Sequence, residues 1–397
     1  MGDLIVVKRS IEALIRDDFG KGKAIVVLGA RQVGKTTLLN ALASGRGGAL
    51  MFNCDNADDR DNLNRDTATG LKELVGKASM VAIDEAQRLE NVGLTVKMLV
   101  DALDGNSQVL VTGSSAMELT NGLYESAAGR FFDYRLAPFS YGELVAATSE
   151  REEQRLLEDR LVFGSYPEVV THSNDRRRIL GAIVDGALYK DIFALGVIRK
   201  PEILQRLVQC LALQVGSEVS YNELANTVGV DKVTVESYVD LLEKSFVVFR
   251  LPSLSRNARN EIKRGRKIYF CDNGVRNAVL GNFAPLALRG DVGALWENYL
   301  VSERRKLNES ARTFAHGYFW RTMTQSEIDY IEEVDGRFTA FEFKWNERRR
   351  AKIPAPFAAA YPNATFDVVT RENYSTFLKG ERNGGGGVQE RDPYPGG

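Results

Sequence analysis

The run Gly29-Ala30-Arg31-Gln32-Val33-Gly34-Lys35-Thr36 constrains this chain more than any other feature. An apolar stretch, Ala24 to Leu28, leads into it, and a helix-forming stretch leaves it. G-x-x-x-x-G-K-[ST] between a strand and a helix is a phosphate-binding loop, and it implies an α/β core. The glycines let backbone N–H groups wrap a β-phosphate, and the helix N-terminus adds a favourable field. Lys35 is placed to reach the β- and γ-phosphates, and the Thr36 hydroxyl to bind Mg²⁺. The expected nucleotide-binding set is Gly29, Ala30, Arg31, Gln32, Val33, Gly34, Lys35, Thr36 and Thr37, with ATP and Mg²⁺ as ligands. The competing reading, a chance glycine-rich turn, does not account for the flanking strand and helix.

A second apolar run, Met80 to Ile83, ends in Asp84-Glu85. An acid at the C-terminal end of a parallel strand sits where ligands bind. Asp84 is expected to hold Mg²⁺ through water, and Glu85 to polarise the attacking water. The spelling Asp84-Glu85-Ala86-Gln87 also fits a helicase motif, but no later helicase motif follows. A third strand, Gln108 to Ala116, ends in small polar residues, of which Thr112, Ser114 or Ser115 could sense a γ-phosphate. Arg130 precedes a last strand, Phe131 to Leu136. It reads either as a transition-state arginine, in cis or given to a neighbouring subunit, or as a solvated surface residue; Arg135 is the lesser candidate. Donation across subunits implies self-association into a ring or open oligomer.

With 397 residues the chain is too long for one ordinary domain. Its net charge of −1 provides no global field for nucleic acid, so local patches must do that work. No apolar run matches a membrane span, and no signal-peptide pattern opens the chain. Cys54, Cys210 and Cys271 lie far apart and suggest a reducing cytoplasm. His172 and His316 are too few for a histidine metal site, so any metal should be held by oxygen.

Glu327 to Trp345 reads as a β-hairpin turning at Asp335-Gly336, a type I′ dipeptide. That turn sets Asp329 opposite Glu342 and Glu327 opposite Lys344. It leaves Ile328, Tyr330, Phe341 and Phe343 on the other face. Two carboxylates at roughly 5 Å repel by on the order of 3 kcal/mol at an effective dielectric of about 20. A divalent cation would reverse that sign, and Lys344 could orient a water at it. The alternative is a solvated face with a cross-strand Glu327–Lys344 pair.

The succession "GARQVGKTTLL", "IDEAQR", "VLVTGSS", "AGRF", "FGSYPEVV", "YKDI", "KIYFCDNGVRN", "LWENYLVSERRK", "EIDY" and "FEFKW" resembles a large family of uncharacterised AAA-type ATPases of bacteria and archaea. That family pairs an ATPase with a C-terminal domain of unknown function that has a restriction-endonuclease-like core. The likeness runs end to end except for the tail. It implies a P-loop AAA-type ATPase core, expected over residues 1–137, and the helical run after it reads as a lid or linker over 138–199. A winged helix over 200–272 and a restriction-endonuclease-like α/β domain over 273–380 follow. Residues 381–397 form a tail too polar to bury a core.

Within that frame, "DKVTVESYVDLLEKS" is the candidate recognition helix, with Asp231 as its N-cap. Arg256, Arg259, Lys263, Arg264, Arg266 and Lys267 form a basic wing against the single Glu261. The wing reads either as phosphate-contacting or as a merely soluble spacer. Glu297 on a helix, then Asp329, then Glu342-x-Lys344 follow the nuclease-like order for a metal site. Arg348, Arg349, Arg350 and Lys352 could steer phosphates toward it. The leading expectation is an ATP-hydrolysing, DNA-handling protein, with Lys344 acting if the C-terminal site cleaves. The alternatives are a regulatory ATP switch with a protein partner and an inactive C-terminal domain, or a nucleotide-sensing defence ATPase and nuclease.

Overall fold

The computed structural model describes residues 7–65, 67–103, 107–114, 123, 126–186, 191–194, 200–255, 265–322, 324, 326–346 and 351–381. Five short strands build the first sheet: β1 (Ala24–Leu28), β2 (Ala49–Asn53), β3 (Met80–Asp84), β4 (Gln108–Gly113) and β5 (Phe131–Arg135). All pair in parallel, in the order β2-β3-β4-β1-β5. β1, β3 and β4 are buried along their whole length, as parallel strands covered on both faces must be. Their C-terminal ends therefore bring the loop after Leu28, the acids after Ile83 and the polar residues after Val111 to one edge.

From Tyr141 to Ile183 the chain is helical. Gly164, which ends the helix Leu157–Phe163, has φ of 71°, and a Cβ there would meet Asp272 Oδ1 at 2.0 Å. The Asn277 side-chain amide donates to Leu161 O and Val162 O, and Asn273 donates to Leu161 O. "FGSYP" and "DNGVRN" are thus two halves of one helix terminus: the asparagines satisfy carbonyls the helix leaves open.

Three helices, Pro201–Leu213, Tyr221–Val228 and Lys232–Lys244, precede an antiparallel pair, β6 (Val248–Pro252) and β7 (Arg266–Phe270). Asp231 caps the third helix by accepting the N–H of Thr234 at 2.8 Å. A long helix, Val292–Ala311, then leads to β8 (His316–Arg321), β9 (Glu327–Val334), β10 (Arg337–Phe343) and β11 (Thr365–Val369). This sheet has the order β11-β10-β9-β8, antiparallel except for the parallel β10–β11 pair. Among the described residues no helix is long and apolar enough to cross a membrane. One buried apolar cluster includes residues from Ile11 to Leu378, so the successive parts share a core.

Polar tethers reinforce that union. Arg9 donates to Val33 O at 2.7 Å, to Ala137 O at 2.6 Å and to Glu143 at 3.2 Å. Glu143 closes a capping box with Ser140 at the start of the helix Tyr141–Ala147. Tyr141 N donates to Glu303, and Lys306 donates to Phe139 O, both on the long helix. The sequence carried no local signal for Arg9, because its partners lie 24 to 134 residues away. Both Arg9 and Glu143 are buried, so Arg9→Met leaves a carboxylate without its countercharge. We expect a loss of about 3–5 kcal/mol in urea unfolding, largely recovered in the double variant Arg9→Met/Glu143→Gln. Equal losses in the single and double variants would rule out this pair as the cause.

Candidate functional site

The loop from Gly29 to Gly34 joins β1 to the helix Lys35–Ala43. Gln32 and Gly34 have φ of 61° and 95°, which turns the loop back over the helix N-terminus. Gly29 has no substitute: a Cβ there would lie 2.2 Å from the carbonyl oxygen of Leu136. The buried Lys35 amino group donates to Gly29 O at 3.0 Å and Ala30 O at 2.9 Å. Thr36 and Thr37 are exposed at the helix start. The Thr36 hydroxyl donates to Asp84 Oδ2 at 2.6 Å, and Thr112 donates to the other oxygen of Asp84.

Glu85 adopts left-handed backbone, φ 52° and ψ 42°, at the start of a 3₁₀ turn, Ala86–Arg88. Its Oε1 lies 4.0 Å from Lys35 Nζ. Its Oε2 accepts from Gln87 Nε2 and, at 3.2 Å, from Ser114 Oγ. Lys35, Thr36, Asp84, Glu85 and Ser114 thus converge, as do Gly29 to Gly34. Ser115 lies outside the described residues. Gln87 escaped the sequence reading, although its place two residues after Glu85 in a tight turn was the available signal.

Arg130 does not join them. Its carbonyl pairs with Ala24 N at the N-terminal end of β1, and its side chain pairs with Asp101. The loop begins a full strand away, roughly 16 Å at about 3.3 Å per residue. Arg130, for which a role in cis, a role on a neighbouring copy and a surface place stood open, is thus not brought to its own loop. Arg135 stands opposite Leu28 at the correct end and pairs with Glu309 at 3.5 Å.

The hairpin turn has the expected type I′ signs, with φ of 51° at Asp335 and 75° at Gly336. Its register holds from Val334–Arg337 to Tyr330–Phe341, where the ladder ends. Asp329 then accepts the Phe343 N–H at 2.8 Å. The expected faces are corrected. Tyr318 pairs with Ile331 but Trp320 with Ile328, so β9 carries one extra residue at Asp329–Tyr330. Ile328 consequently packs with Trp320, Ile331 and Phe357, while Tyr330, Phe341 and Phe343 surround Phe377.

The acids turn toward the long helix, where a cation of the chain itself meets them. Lys267 Nζ lies 2.9 Å from Glu297 and 2.6 Å from Glu327, with only 1% of its side chain exposed. The cross-strand Glu327–Lys344 pair does not form; Lys344 pairs with Glu342. Burial pushes the Glu297 carboxyl up to about 7 against the pull of Lys267. Burial also raises Asp329, and burial with the nearby Asp329 raises Glu342. Among the described residues no three His, Cys, Asp or Glu side chains are grouped to hold a metal ion. Of the three expected ligands, Glu297 is taken up by Lys267, Glu342 by Lys344, and Asp329 by the Phe343 N–H. Lys267 also leaves the expected basic wing. Arg266 lies with its guanidinium carbon 4.5 Å from the Tyr221 ring centroid. Arg256, Arg259, Glu261, Lys263, Arg264 and Arg348 to Arg350 fall outside the described residues.

Comparison with known proteins agrees with the first site. Residues 21–145 match the family model of an AAA domain. Residues 154–286 and 292–382 match two models described as domains of unknown function. An uncharacterised protein of Mycobacterium tuberculosis is 28% identical over 344 residues, which cover 86% of this chain and 74% of that protein. One of Methanocaldococcus jannaschii is 22% identical over 322 residues, covering 70% of this chain and 66% of that protein. Among solved structures, a Walker-type ATPase of Pyrococcus abyssi is similar with a TM-score of 0.49 and 15% identity, covering 69% of this chain and 96% of that one. The AAA match falls on the segment that carries the loop and the acids, and supports an AAA-type ATPase domain there.

Proposed function

We propose that the chain is an ATP-driven switch that hydrolyses ATP at the Gly29–Thr37 loop and handles DNA with its C-terminal half. The observation that carries the first part is the convergence of Lys35, Thr36, Asp84 and Glu85 at one sheet edge. Lys35 donates to two loop carbonyls, with Glu85 Oε1 4.0 Å from its Nζ. Phosphate oxygens are stronger partners for an ammonium and would draw it outward. Thr36 and Asp84 present adjoining oxygens, which fit Mg²⁺; when bound, the ion neutralises phosphate charge. In hydrolysis a water oxygen attacks the γ-phosphorus while the bond to the bridging oxygen of ADP breaks. Glu85 orients that water and accepts its proton.

The order helix, helix, helix, strand, strand before the long helix suits a winged helix. The helix-led sheet with one parallel edge suits a nuclease-like core. The Lys267 pairing favours binding over metal-dependent cleavage, and we assign that sheet no hydrolytic step. A protein-partner switch that keeps the C-terminal half as scaffold is the second reading, favoured by the same pairing. ATP turnover measured with and without single- and double-stranded DNA separates the two; only the first predicts stimulation.

Lys35→Ala should abolish ATP binding. Glu85→Gln should preserve affinity within about threefold and lower turnover by at least about 100-fold. Equilibrium binding and single-turnover hydrolysis read these separately; normal turnover by Glu85→Gln would remove its assigned role.

Arg130 is proposed to act on a neighbouring copy. Arg130→Ala should then cut turnover by about 1,000-fold at unchanged ATP affinity. ATP should also shift the wild-type chain to a larger species in sedimentation. A monomer that hydrolyses ATP at micromolar protein would exclude the trans role.

A further inference from the structure

We infer that Gln87 is a positioning residue that sets the orientation of the Glu85 carboxylate and couples it to Ser114. The inference rests on the ATPase reading proposed above. A glutamate that handles water must present one oxygen at a fixed angle, yet its side chain has three rotatable bonds. Here the chain itself fixes it. The 3₁₀ turn is closed by Arg88 N on Glu85 O at 3.1 Å and by Leu89 N on Ala86 O at 3.0 Å. It folds Gln87 back over Glu85.

Gln87 Nε2 donates to Glu85 Oε2 and, at 2.9 Å, to Ser114 Oγ. Its Oε1 accepts the Ser114 N–H at 3.3 Å. That acceptor contact sets the amide's orientation, because a flipped amide would point N–H against N–H. Ser114 Oγ in turn donates to Glu85 Oε2 at 3.2 Å. Both restraints fall on the same carboxylate oxygen. Oε1 is left facing Lys35, and so faces the phosphate side. Ser114 follows β4, which lies between β1 and β3 and so between the loop and the acids. A Ser114 hydroxyl that turned to phosphate would leave Gln87 as the restraint on Oε2. Gln87 therefore keeps the water-orienting oxygen aimed in the nucleotide-bound state.

The test is a mutant cycle in the full chain. Gln87→Met keeps length and bulk but removes the donor and acceptor. It should lower kcat by about 10–100-fold, the cost of misaligning a reacting group. ATP affinity should stay within about threefold and the melting temperature within measurement error. In a Glu85→Gln background the same substitution should cost nothing further, since a residue that acts through Glu85 has nothing left to act on. Gln87→Glu, which sets a second carboxylate against Oε2, should be slower than Gln87→Met. Unchanged kcat in Gln87→Met, or an equal loss with and without Glu85, would overturn the inference while leaving the ATPase reading intact. No hydrolysis by the unaltered chain would overturn both.

Discussion

The Arg9 guanidinium is the contact on which the rest of this architecture leans. It binds the phosphate loop through Val33 O, the end of the first sheet through Ala137 O, and the cap of the next helix through Glu143. A planar, permanently charged fork suits this task, because one rigid group can satisfy three acceptors at set angles. Burial lowers its pKa, while Glu143 opposes that shift. The helix that Glu143 caps then meets Glu303 and Lys306 of the long helix. The loop, the end of the first sheet and the long helix are thus joined by bonded contacts. This is a mechanical route; energetic coupling along it would need two discrete arrangements.

What could be read in the sequence was what local chemistry decides. The phosphate loop, the acids after β3 and the type I′ turn each depend on residues a few positions apart. The pairing register followed from that turn and held to Tyr330–Phe341. The facing of the acids could not be read, because a bulge depends on β8, and nothing in the hairpin's own residues reveals the extra one. The same holds for Arg130. Its neighbours in sequence suggest a catalytic arginine, but the strand direction that separates it from its own loop is a property of the assembled sheet. Lys267 was hidden differently. It sits in a basic run, and only folding shows that it points inward to Glu297 and Glu327 while Arg266 turns to Tyr221.

The two charged centres then differ in what they lack. In the first, Lys35 donates to two carbonyls of its own loop with Glu85 Oε1 4.0 Å away, and Asp84 is met by two hydroxyls and a backbone N–H. These are weaker partners than phosphate or a divalent ion, so a charged ligand gains more than it displaces. In the second, Lys267 already supplies a full positive charge between Glu297 and Glu327, buried and within hydrogen-bond distance of both. A cation arriving there would have to expel a buried ammonium whose own desolvation has already been offset by those carboxylates. The attraction of Glu297 and Glu327 for a cation is thus spent on Lys267. The loop edge thus sets Thr36, Asp84 and Glu85 around an ammonium held by its own loop, whereas at the C-terminal sheet Lys267 is held by Glu297 and Glu327.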